Sequence, residues 1–317
     1  MDYAIEARGL TQWYGRQREH PAIAEIDLAV QPGQLYGLVG PDGAGKTTTL
    51  RILSSVMWAR KGTATVAGFD VRRDAEAVRR RIGYMPQAFS LYPDLTVREN
   101  LDFFADVNQV SGAVRAKRIG EMLAFSRLEE FQTRRAGNLS GGMKKKLALA
   151  CALVHDPAVL ILDEPSTGVD PVSRRELWQI LAEVVQQGVA VLVSTPYMDE
   201  AERCHVVGML YEGRLVASGA PVELTADLPF DIIEVKARPR KRMREIVSQT
   251  AGIGAWRPVG DRLRLSVARA NDQVRQVLRT LEATLTAESL DTRLLRAVRP
   301  DMEDVFVHRV AQARGAA

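Results

Sequence analysis

The chain has 317 residues, of which 46% are hydrophobic and 26% charged, with a formal net charge of +4. That length suits one large and one small domain, and the composition is that of a globular protein able to bury a core unaided. No run approaches the ~18 consecutive apolar residues of a membrane span, and the opening MDYAIEARGL carries early acids and no apolar segment of the secretory kind, so work at a membrane would require a partner.

Taken in order, Ala4–Leu10 and Ile26–Val30 read as strands of an antiparallel edge sheet, and Gln34–Val39 as a buried strand running into a glycine loop. Lys46–Met57 then reads as a helix. From about Leu95 to Leu139, apolar residues recur at helical spacing (Leu101, Phe104, Val107, then Ile119, Met122, Leu123), as in a helical subdomain. Leu147–Val154 reads as a core element. Val159–Leu162 and Val189–Val193 are short β-branched runs of the kind covered on both faces in a parallel sheet. Strand, loop and helix in this alternation imply an α/β layered domain over residues 1–225.

A linker is expected at 226–230 and a second domain over 231–317. There the order is strand (Asp231–Ala237), basic helix (Arg240–Gln249), hairpin strand after Gly260–Asp261 (Arg262–Val267), Asn-capped helix (Asn271–Leu285), strand (Ser289–Val298) and final helix (Met302–Ala313). A β-α-β-β-α-β order implies a small ferredoxin-like α+β domain. Cys151 and Cys204 read as buried thiols of a reducing compartment, and no Cys/His cluster has metal-ligand spacing.

Two motifs carry chemistry. Gly40-Pro41-Asp42-Gly43-Ala44-Gly45-Lys46-Thr47 fits the phosphate-loop pattern, followed by Thr48, and lies between a buried strand and a helix. Glycines let backbone N–H groups curl around phosphate oxygens, and a helix N-terminus adds positive potential. Lys46 is expected to reach the terminal phosphates of ATP and Thr47 to place its hydroxyl on Mg²⁺. The strand Val159–Leu162 ends in Asp163-Glu164-Pro165. There Asp163 is suited to hold the metal through water and Glu164 to act as general base, the turn at Pro165 letting both serve one site.

Leu139-Ser140-Gly141-Gly142-Met143 opens a further helix, with Ser140 as expected N-cap. Placed between the phosphate loop and the acidic strand end, this LSGG run resembles the signature of ABC ATPases. The resemblance implies a P-loop NTPase fold with an inserted helical subdomain at about 95–139. It also implies adenine stacking by Tyr14 and a glutamine, Gln87 in Gly83-Tyr84-Met85-Pro86-Gln87, that senses Mg²⁺ and contacts a membrane partner. Ser166-Thr167-Gly168-Val169-Asp170 resembles the D-loop. The family works as a head-to-tail dimer, so Ser140, Gly141 and Gly142 would serve nucleotide held by the opposite subunit, as a helix dipole aimed at phosphate would favour. The segments Ser173–Trp178, Met198–Cys204 and Glu303–Phe306 resemble ABC-2 type exporters, and 40–48, with Asp42, looks most like the first half of tandem multidrug-export ATPases. The partners so implied are a second ABC ATPase domain and an ABC-2 type permease, at the cytoplasmic face of the membrane, with no nucleic acid expected.

The pattern departs at Ser194-Thr195-Pro196-Tyr197, where the family usually places histidine after threonine. Proline has no donor and fixes φ. None of the chain's histidines (His20, His155, His205, His308) stands at that position. Binding of ATP with slow hydrolysis is therefore expected, or a partnership with a different, competent ATPase. A soluble ABC protein acting on nucleic acid, a nucleotide-gated binding module and a P-loop kinase are the rival readings; LSGG and the D-loop run disfavour the last. Arg238, Arg240, Lys241, Arg242 and Arg244 read as a solvated face or a contact for anionic lipid or an acidic partner surface, Lys144–Lys146 as a solvated helix face, His205 as a surface or strand-edge residue, and Trp256 and Phe306 as core.

Overall fold

The computed structural model describes residues 3–15, 21–88, 90–270 and 272–315, so His20 and Asn271 lie outside the described residues. β1 (Ile5–Gln12) and β2 (Ile23–Val30) bury alternate side chains and pair antiparallel. β3 (Leu35–Val39) is buried along its whole length and leads through the glycine loop into α1 (Lys46–Leu53). This helix stops a turn earlier than its pattern suggested, because Ser55 takes a left-handed φ of 55°. β4 (Lys61–Val66) and β5 (Phe69–Asp70) complete an antiparallel sheet of order β2-β1-β4-β5.

After α2 (Ala75–Arg81) and β6 (Ile82–Met85) come α3 (Val97–Val107), α4 (Gly112–Ser126) and α5 (Gly141–Leu153). α3 opens with a reciprocal capping box between Thr96 and Glu99. The apolar run at 147–153 is the buried part of α5. Then follow β7 (Val159–Asp163), α6 (Pro171–Gln186), β8 (Ala190–Thr195), α7 (Met198–Ala201), β9 (Val206–Tyr211) and β10 (Arg214–Gly219). The main sheet has the order β10-β9-β3-β8-β7-β6, parallel except for β10 at its edge. The central strands β3, β8 and β7 are buried throughout, as strands covered on both faces must be. The loops after β3 and β7 leave from the same end of the sheet, where open α/β sheets place their sites.

Compact packing divides the chain into Met1–Pro221 with Arg309–Ala317, and Val222–His308. The division falls a few residues before the expected 225. The stretch expected as linker is tied down: α8 (Pro221–Ala226) buries Leu224, and Arg269 donates to the Ala226 carbonyl at 2.7 Å while its amide donates to Pro229 at 2.9 Å. At the far end, Arg314 donates to the Tyr211 hydroxyl at 3.0 Å within the first unit.

The second unit contains β11 (Phe230–Arg238), α9 (Arg240–Gln249), β12 (Ile253–Val259), β13 (Arg262–Ala268), α10 (Gln273–Ala287), β14 (Asp291–Val298) and the start of α11 (Met302–Gly315). Its antiparallel sheet has the order β12-β13-β11-β14, the arrangement that β-α-β-β-α-β order implies. One sheet face packs Ile233, Val235, Leu263 and Leu265 against Ile246, Val247, Val277 and Leu281 of α9 and α10. The alternate residues form an ionic layer. Glu234, facing Arg264 and Arg296 across the strands, meets Arg264 and Arg296 at 3.1 Å and Arg262 at 3.2 Å. Arg264 also contacts Asp301 at 2.9 Å and Asp304 at 2.5 Å. Trp256, expected in the core, is 38% exposed on β12, the edge strand of the sheet. In the basic helix, Arg242 is committed to Glu245 and Glu288, while Arg240, Lys241 and Arg244, and Arg238 at the end of β11, are exposed. No helix among the described residues is long and apolar enough to cross a membrane.

Removing Glu234 would take one of three acids from buried Arg264 and the acid shared by Arg262 and Arg296. Glu234→Ala is expected to destabilise the second unit by ~1.5–3 kcal/mol, read as a shifted urea unfolding transition of the full chain.

Candidate functional site

The loop after β3 is shaped by positions at which only glycine fits. Gly43 and Gly45 have φ of 78° and 107°, and a Cβ on Gly45 would stand 2.5 Å from the Ala22 carbonyl oxygen. A Cβ on Gly40 would lie 2.2 Å from the Leu210 carbonyl oxygen. α1 starts from this loop with no side-chain cap and no acid in its first turn, so its leading N–H groups face an incoming anion. The loop, with Tyr14, Ala22, Gln87 and Glu164, lines an open cleft of about 370 Å³.

Lys46 is 4% exposed and donates to the carbonyls of Gly40 at 2.8 Å and Pro41 at 3.1 Å. Its Nζ lies 3.2 Å from Glu164 Oε1, whereas Asp42 is exposed and reaches only 3.9 Å. Glu164 adopts a left-handed φ of 49° at the end of β7. That turn sends its side chain to Lys46 and Gln87, while Asp163 stays beneath the loop. Gln87 Nε2 donates to Glu164 Oε2 at 2.8 Å, and Thr167 donates to the same oxygen at 3.3 Å.

Asp163 Oδ1 accepts from Thr47 Oγ1 at 3.2 Å and from Ser194 Oγ at 2.7 Å. Ser194 in turn accepts the Glu164 N–H at 3.0 Å, so one buried serine on β8 sets both acidic residues. Sequence reading passed over Ser194, although it stands in the Ser-Thr-Pro-Tyr run. The hydroxyl of Thr47 and the carboxylate of Asp163 are hard oxygen donors, the chemistry a Mg²⁺ ion takes alongside phosphate oxygens and water. Among the described residues no group of three or more His, Cys, Asp or Glu forms a metal cage by itself. Tyr14 is 54% exposed beside the loop, its hydroxyl 3.1 Å from Thr48 Oγ1.

The structure thus gathers Tyr14, residues 40–48, Gln87, Asp163 and Glu164. It places Ser140, Gly141, Gly142 and Asp170 in a second cluster, none of them lining this cleft. Ser140 caps α5 by accepting the Met143 N–H at 3.3 Å. A Cβ on Gly142 would fall 2.3 Å from Ser173 Oγ, so α5 approaches α6 closely there. Asp170 caps α6 through the amides of Val172 and Ser173, both at 3.0 Å, and hydrogen bonds from Ser173 hold its carboxyl below the usual range.

The Lys144–Lys146 run is not the solvated face expected of it. Lys146 pairs with Glu176 at 2.5 Å. Half-buried Lys145 reaches the carbonyls of Gln87 at 3.3 Å and Glu164 at 3.4 Å, and burial pulls its pKa down. His205 does serve a strand edge, its Nδ1 accepting the Leu35 N–H at 3.1 Å. None of His155, His205 or His308 lines the cleft.

A family profile described as ABC transporter matches residues 23–167. The probable multidrug ABC transporter ATP-binding protein YbhF of Escherichia coli is 50% identical over 224 residues, which are 71% of this chain and only 39% of that protein. The daunorubicin resistance ATP-binding protein DrrA2 of Streptomyces coeruleorubidus is 36% identical over 96% of this chain and 94% of its own length. Among solved structures, the dimeric post-hydrolysis state of the ATP-binding cassette MJ0796 bound to ADP and Pi matches with a TM-score of 0.63 and 26% identity, over 68% of this chain and 98% of that one.

Gly45→Ala would drive a Cβ into the Ala22 carbonyl at a φ that disfavours alanine. It is expected to weaken binding of a fluorescent ATP analogue by tenfold or more, with the circular dichroism spectrum unchanged.

Proposed function

The chain belongs to the ABC transporter ATP-binding protein family, and from that premise we propose that it is the ATP-driven motor of an exporter. In this reading it binds ATP with Mg²⁺, hydrolyses it, and works through a separate membrane permease from the cytoplasmic face. The observation that carries the reading is the buried contact between Lys46 and Glu164, 3.2 Å apart beneath the glycine loop. A triphosphate seated in the loop competes for Lys46. Glu164 then loses its cation and becomes available to accept the proton of an attacking water. Gln87, already bonded to Glu164, helps aim that water. Tyr14 supplies a face for adenine stacking. Mg²⁺, held by the Thr47 hydroxyl and through water by Asp163, would neutralise charge on the phosphates.

The second cluster supports a paired assembly. Ser140, Gly141 and Gly142 form the N-terminus of a 13-residue helix without acids in its first turn, a favourable end for phosphate. Because these residues stand apart from the chain's own cleft, their use requires a second ATPase domain, and the solved relative that is dimeric supports that arrangement. The multidrug and daunorubicin-resistance names of the relatives favour export. The match over 39% of the Escherichia coli relative is compatible with a partner domain fused or separate.

Pro196 favours a second reading, a nucleotide clamp that hydrolyses slowly beside a competent partner. Steady-state hydrolysis and ATP affinity of the purified chain separate the two. Glu164→Gln is expected to keep ATP affinity within a few-fold, cut turnover by ~10²–10³-fold, and accumulate an ATP-dependent dimer on size-exclusion chromatography. Pro196→His, adding a donor at the phosphate, is expected to raise slow turnover by up to ~10²-fold. Brisk turnover unchanged by that substitution would sink the clamp and leave the plain motor. A chain that binds no ATP would sink both.

A further inference from the structure

Glu200, on α7, has 0% exposure, yet its carboxylate is met by donors from three separate segments. Ser166 Oγ, in the turn after β7, donates to Oε2 at 3.0 Å, and Thr195 Oγ1, the last residue of β8, donates to the same oxygen. From α6, Arg174 Nε and Trp178 Nε1 donate to Oε1 at 2.6 and 3.1 Å. Arg174 spreads further, to Asp199 at 2.7 Å and over the Tyr197 ring at 4.7 Å. Burying a carboxylate is costly even when it is paired, and apolar side chains of similar volume generally hold a fold as well. What a carboxylate adds is directed contact, here with two turns at the nucleotide cleft.

Those turns need outside support. Glu164 holds a left-handed backbone that a non-glycine residue keeps only where its surroundings over-determine it. Its N–H is fixed by Ser194, and two residues on the chain is fixed again by Ser166 to Glu200. On the other turn, Thr195 donates to Glu200 and accepts the Tyr197 N–H at 3.1 Å, which shapes the chain around Pro196. We propose that Glu200 is a positioning residue for the nucleotide site, pinning the 164–168 and 195–197 turns to α6 and so aiming the Glu164 carboxylate. The proposal rests on Glu164 acting as general base in the motor reading.

Glu200→Gln keeps the shape but replaces one acceptor oxygen with a donor. It is expected to lower kcat for ATP by at least tenfold with KM within about twofold, since misaim affects the chemical step more than binding. Amide hydrogen exchange in the full chain is expected to quicken in both 164–168 and 195–197 while β7 and β8 stay protected. Ser166→Ala, a smaller change, is expected to quicken 164–168 alone and to add little in the Glu200→Gln background, because one contact is removed twice. Faster exchange confined to α7, or kcat and KM worsening together in step with a lost melting temperature, would overturn the proposal. If the unaltered chain shows no hydrolysis, the motor reading fails, and the exchange pattern alone still decides whether Glu200 holds the two turns.

Discussion

A lysine and a glutamate stand 3.2 Å apart, both side chains almost wholly buried, at the meeting of two loops from one end of a parallel sheet. Each alone would be a costly buried charge. Together they are tolerated because their remaining valences are filled. Lys46 takes two loop carbonyls, and Glu164 takes Gln87 and Thr167. The pair forms only if the loop curls tightly enough to turn those carbonyls inward, which is why glycine stands at 40, 43 and 45. It also requires Glu164 to leave its strand in a left-handed turn, which is why Ser194 and Glu200 brace the backbone around it. The charges of the pair balance each other, so in the motor reading proposed above a polyphosphate would act by exchange of partners rather than by filling a bare positive hole.

The same chain carries a second set of residues that the first site does not use. Ser140, Gly141, Gly142 and Asp170 sit at the starts of α5 and α6, held close by the missing side chain of Gly142. Lys145, on α5, reaches carbonyls of Gln87 and Glu164. α5 is therefore bonded to the backbone that carries Gln87 and Glu164. In the paired assembly proposed above, such a contact would give each site a physical route to the helix proposed to serve the other.

The second unit solves a different problem. A four-stranded sheet with helices on one face leaves the other face to be managed. Here that face is charged, with Glu234 and Asp304 set among four arginines across neighbouring strands. Opposite charges in cross-strand register hold the face together.

Much of this was legible along the chain. Several strands and helices of both units, the phosphate loop and the acidic strand end are local patterns, and local patterns survive in sequence because neighbouring residues make the structure. The basic helix over 240–249 is an example, its bounds readable from residue types alone. Tertiary structure decided the rest. Nothing local distinguishes Lys145 and Lys146 from a solvated lysine run, because their partners Gln87, Glu164 and Glu176 arrive from distant segments. Ser194 and Glu200 matter through contacts spanning up to 34 residues, which no window of a helix or strand can contain. Residues that make chemistry with their neighbours can be read in order; residues that aim others can be read only once the sheet has brought its strand ends together.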